Sequence, residues 1–148
     1  MTATTDRPVM SDEDFLRAFE ACAIGASDFR HADHVRLAWI YLRRHPLLKA
    51  IERFRDSLQR FAAHNGVPGR YHETITWAYL LLIHERMQRD DGAGDWDAFR
   101  AVHGDVLQWK PSILERYYTR ETLLSDIARK TFVLPDVAAR RAVRSGGG

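Results

Sequence analysis

One cysteine, Cys22, stands in a chain of 148 residues. No internal disulfide is possible, which suits a reducing compartment, and a cytoplasmic location is expected. With no base beside it in sequence, Cys22 reads as a small apolar residue. No apolar run approaches the ~20 residues that span a bilayer, so no membrane partner is expected. The first eight residues, Met1 to Pro8, are polar and lack the apolar segment of a secretory signal. No segment repeats, and period-two alternation never persists for five residues, which leaves no strand to predict.

What is present is the composition of one globular domain. The chain is 45% hydrophobic and 28% charged with both signs mixed. That excludes disorder for most of its length and suffices for a single core. A single helical domain over residues 1–148 is expected, with flexible ends at about 1–10 and 140–148. The formal charge is +2, from 22 Lys and Arg against 20 Asp and Glu. Residues 129–148 carry five of those cations (Arg129, Lys130, Arg140, Arg141, Arg144) and one acid, Asp136, so the remainder is at −2. The basic surplus is a property of the C-terminal stretch. No nucleic-acid motif accompanies it, and no nucleic-acid partner is expected.

Helical signals cover nearly everything else. Ser11 caps a first helix with acids in its first turn, carrying Phe15, Leu16, Phe19 and Cys22 inward and ending near Gly25. A second runs from His31 to Arg44 and stops before Pro46, on a stripe of Val35, Ala38, Trp39 and Leu42. Pro46 opens a third, closed by Gly66. Val67–Arg70 is a turn, and a fourth helix spans Tyr71 to Arg89. Asp95 caps a fifth through Leu107, Pro111 opens a short sixth, and Thr119 caps a seventh from Arg120 to Lys130. Phe132–Pro135 is extended, because the residue before proline avoids the helical region. The predicted fold is all-α: a compact bundle of about five main helices plus short C-terminal helices.

Of 7 histidines, three occupy a special place. On a wheel of about 100° per residue, Thr76, Tyr79 and Ile83 fall within about 40° of His72, which therefore heads the inward stripe of the fourth helix. His31 and His34 share a face of the second helix that Ala38 and Leu42 continue. All three rings belong to first turns and point inward, so adjoining helix starts would bring them into one pocket. Three neutral imidazoles suit a divalent metal such as Zn²⁺, Mn²⁺ or Fe²⁺, and equally suit metal-free proton transfer. Helix N-termini disfavour imidazolium but also oppose a cation, so the dipole argument leaves both open. His45 and His64 sit at helix C-termini, where a structural role fits, and His84 faces outward. His103 lies on the apolar side of the fifth helix and is the reserve ligand.

Glu73, beside His72, is a candidate base or fourth ligand. Tyr118 and Arg129, from the C-terminal helices, are candidates to close the pocket with a phenol and a guanidinium. Tyr71, Trp77, Tyr79 and Trp39 are the aromatic side chains available as walls.

The strings Phe29-Arg-His31-Ala-Asp-His34, Tyr71-His72-Glu-Thr74 and Ala128-Arg129-Lys-Thr-Phe132-Val-Leu-Pro135-Asp136 resemble those of a group of small bacterial proteins of unassigned activity. That group's pattern is Phe-x-His-x-x-His, then Tyr-His-x-Thr, then Ala-Arg-x-x-Phe-Val-x-Pro-Asp. The resemblance covers most of residues 29–136. It implies that His31, His34 and His72 act together, and that Tyr118, Arg129 and the Pro135-Asp136 end belong to the same unit. It implies no substrate.

The leading expectation is a small metal-dependent enzyme, with His31, His34 and His72 as metal ligands and Glu73, Tyr118 and Arg129 as catalytic residues. A metal-bound water would serve hydrolysis or addition-elimination on a small molecule. The alternatives are a non-catalytic protein binding a small ligand in an aromatic-lined cavity, and a metal-free histidine acid–base enzyme.

Overall fold

The computed structural model describes residues 10–91 and 94–137. The expected flexible ends, and the arginines at 140, 141 and 144, lie outside the described residues apart from Met10. Among the described residues the fold is all-α, with eight helices, five of them seven residues or longer, and no strand. None of these helices is long and apolar enough to cross a membrane.

Helix α1 (Asp12–Glu20) starts where Ser11 Oγ accepts the Asp14 amide at 3.1 Å. It ends before the expected Gly25, because Cys22 turns into the left-handed region at φ 55°. Helix α2 (His31–Arg44) has the predicted bounds. Helix α3 (Leu47–His64) follows Pro46, which is its cap rather than its first turn, and Gly66 closes it at φ 74°. Helix α4 (Glu73–Arg89) begins two residues later than the pattern suggested, because His72 is its cap.

The C-terminal third is more broken than expected. The fifth helix divides into α5 (Trp96–Val102) and α6 (Gly104–Leu107), because His103 leaves helical geometry at φ −111°, ψ 44°. Residues 113–116 form a 3₁₀ turn capped by Ser112. The seventh divides into α7 (Arg120–Leu123) and α8 (Asp126–Lys130), since Ser125 Oγ accepts the Ala128 amide and starts a new helix.

Helix α2 is the centre of the bundle, packed on α1, α3, α4 and α6. Every side chain from Leu37 to Leu42 is buried, which a helix achieves only when neighbours surround it. The four-residue stripe read from the sequence is therefore too narrow. Helix α4 buries the predicted Thr76, Tyr79 and Ile83 below His72.

The extended segment after α8 is tied back to α4. Buried Thr74 donates from Oγ1 to the Thr131 carbonyl at 2.7 Å and accepts the Val133 amide at 3.1 Å. Asp136 then accepts from the Thr119 amide and the Thr119 and Thr122 hydroxyls at 2.8–2.9 Å, which fixes the start of α7. The Pro135-Asp136 ending thus has a structural use.

Candidate functional site

Helices α2 and α4 lie against each other, and a cavity of about 440 Å³ lies over their first turns. Its apolar interior comes from Val35 and Ala38 of α2, Phe54, Leu58 and Phe61 of α3, and Ile75 and Tyr79 of α4. The exposed members of its lining are Arg70, Trp109 and Arg129, which mark the rim. Volume and lining both fit a small-molecule site, where a few polar groups punctuate an apolar wall. His31, His34 and His72 all line this cavity, as the helical spacing suggested.

The three rings are not equivalent. Nδ1 of His72 accepts the Ile75 amide at 3.1 Å, and its Nε2–H donates to the Leu123 carbonyl at 2.7 Å. The ring is therefore a helix cap and a strut to α7, with both nitrogens used. Burial is the main cause that lowers its pKa, with Arg129 adding to it.

His31 donates from Nε2 to the Val106 carbonyl at 3.0 Å and lies between Tyr79 and Trp109, with ring centres 4.9 and 4.8 Å away. Burial also lowers its pKa, against the opposing effect of that hydrogen bond.

His34 differs from both. Its ring lies 4.2 Å from that of Phe29, and among the described residues neither of its nitrogens has a hydrogen-bond partner. Loss of water and, secondarily, the nearby His31 hold its pKa down at about 4. At neutral pH it is an uncharged imidazole presenting one donor and one acceptor.

A metal held by three histidines needs three lone pairs aimed at one point. His72 has none to offer, because one nitrogen accepts an amide and the other carries a proton that is itself engaged. Among the described residues, no group of three His, Cys, Asp or Glu side chains is placed to hold a metal ion. The residues therefore do not fit the expected metal centre as they stand.

No protein-family model, curated protein or solved structure matches the chain.

Of the other expected residues, only Arg129 reaches the cavity. It lies at the rim and donates to the Gly69 carbonyl at 2.9 Å. Glu73 points away from the lining. Arg55 Nε donates to both its oxygens at 2.9 and 3.0 Å, and Tyr71 OH donates to one at 2.5 Å. Its carboxylate thereby fixes the Tyr71 ring as a wall, and burial followed by this bond raises the Tyr71 pKa. Tyr118 lies outside the lining of this cavity. It is buried, donates to the Val133 carbonyl at 2.7 Å and borders a second cavity of about 350 Å³.

Among the proposed aromatic walls, Tyr71 and Tyr79 line the cavity. Trp39 instead lies against Trp96, and Trp77 stacks on Phe132. His103 is held between Arg86 and Asp90, at 3.0 and 2.6 Å. Both of its nitrogens are occupied there, so the reserve ligand also has no lone pair free. Sequence reasoning missed Arg70 and Trp109 as rim residues. Both belong to connecting segments, where no periodicity indicates a facing direction.

Proposed function

We propose that this chain binds a small, largely apolar molecule in the cavity over the starts of α2 and α4, where the neutral imidazole of His34 meets its polar group. The observation that carries this reading is the environment of His34. A half-buried ring against Phe29, without a hydrogen-bond partner among the described residues, leaves a donor and an acceptor to be met from the cavity it lines. A ligand group that meets it makes a hydrogen bond worth about 0.5–1.5 kcal/mol.

Binding is favoured over acid–base turnover by the same ring. A general base works best with a pKa near the operating pH. Burial holds His34 at about 4, which makes it a poor base but a stable hydrogen-bond partner at neutral pH. The metal-dependent alternative requires His72 to give up the Ile75 amide and Leu123 carbonyl first.

The test is a screen of small aromatic and aliphatic fragments on the full chain, read by tryptophan fluorescence, to which Trp109 at the rim contributes, and by melting temperature. Fragments that bind the wild type and are lost in His34→Phe, with the variant still folded, support the reading. Fragments that bind both proteins equally contradict it.

A further inference from the structure

We infer that the molecule this cavity takes is an amphipathic monocarboxylic acid, its apolar body among the aromatic side chains and its carboxylate, the polar group that His34 meets, shared with the rim guanidinium groups of Arg70 and Arg129. This deepens the binding reading above and rests on it.

Three independent features point to an anionic head. First, the rim holds two arginines from separate parts of the chain. Arg70 ends the 68–70 turn and Arg129 lies in α8, reaching the same turn through the Gly69 carbonyl. Neither has a carboxylate partner among the described residues. Arg17, Arg36, Arg55, Arg86, Arg89, Arg100 and Arg116 are ion-paired there, whereas Arg30, Arg43, Arg44, Arg53, Arg60 and Arg120 are not, so what sets Arg70 and Arg129 apart is their shared place on the cavity lining.

Second, among the described residues no Asp or Glu lines the cavity. Glu73, beside His72, is ion-paired to Arg55 and accepts from Tyr71. Third, the first turns of two long helices, α2 and α4, form part of the wall, and their partial positive charge favours an anion. The interior argues for the rest of the molecule. Phe54, Leu58, Phe61 and Ile75 offer no hydrogen bonds, so the body of the ligand is hydrocarbon rather than sugar or nucleotide. A planar carboxylate matches the fork of a guanidinium.

The experiment titrates the full chain near neutral pH with 3-phenylpropionate, 4-phenylbutyrate and octanoate, each against its own primary amide, and with inorganic phosphate alone. At least one acid binds, at least about ten-fold tighter than its amide, as expected when a charge-assisted contact is lost. In Arg70→Gln/Arg129→Gln the ratio of acid to amide affinity falls toward one. Acids and amides binding equally well overturns the carboxylate head and leaves cavity binding standing. Phosphate binding as tightly as the acids overturns the apolar body. Binding of none of the six compounds at millimolar concentration overturns both the inference and the reading beneath it.

Discussion

Nε2 of His72 donates to the carbonyl oxygen of Leu123 at 2.7 Å, joining the start of α4 to the end of α7 across 51 positions of sequence. Because Nδ1 of the same ring caps α4, one side chain fixes two element ends. His72→Ala removes the cap, worth about 1 kcal/mol, and orphans the Leu123 carbonyl at a further ~1–2 kcal/mol. The expected loss is therefore roughly 2–3 kcal/mol in urea unfolding. His72→Asn, which keeps a capping acceptor, recovers about half. A loss below about 0.5 kcal/mol would show that the ring is not structural.

Acid should weaken the fold through the histidines of the cavity. Above about pH 6.5 a histidine is neutral in both the folded and unfolded chain and contributes nothing to the pH slope. Below that, the unfolded chain takes up a proton that the folded His34, held at about 4, refuses, so stability falls between those values. The limit for this one group is roughly 3 kcal/mol. His31 and His72, also lowered, act in the same direction. Comparing wild type with His34→Phe between about pH 7 and pH 5 isolates the effect from carboxylates that titrate lower. The variant should lose distinctly less stability over that interval. Parallel slopes would contradict the neutral state of His34.

Divalent metal should leave the protein unmoved. After chelator treatment of untagged protein, added Zn²⁺, Mn²⁺ or anaerobic Fe²⁺ is expected to shift the melting temperature by less than about 1 °C. A site with its metal at 100 times the dissociation constant would add about 2.7 kcal/mol, several degrees for a chain of this size. Stoichiometric metal in untagged protein would restore the three-histidine centre and require His72 to abandon both its bonds.

The bundle was legible in the sequence because its longest helices carry strong periodicity and clear ends. Pro46, Gly66 and Ser11 mark boundaries that the structure keeps to within a residue or two. The same periodicity places His31, His34 and His72 on one cavity, since inward faces at adjoining helix starts must meet. The roles of the rings were not legible. Whether an imidazole ligates, caps or waits depends on which carbonyl or amide lies 3 Å from each nitrogen. For His72 and His31 those carbonyls belong to Leu123 and Val106, remote in sequence. Ser125 caps α8 and so divides the single helix expected from Arg120 to Lys130, a break that depends on its hydroxyl accepting the Ala128 amide. Tyr118 shows the opposite failure. Its hydroxyl suggested chemistry, while the fold uses it to hold Val133.

The most direct measurement is a long-range ¹H–¹⁵N spectrum of the imidazoles in protein labelled at histidine, recorded near neutral pH with and without a bound carboxylic acid. His34 should be neutral in the free protein and should shift when the acid is added, while His72 keeps its proton on Nε2 throughout. A His34 signal indifferent to every compound that binds, or a His72 ring whose nitrogens move instead, would contradict the assignment of His34 as the group that meets the ligand.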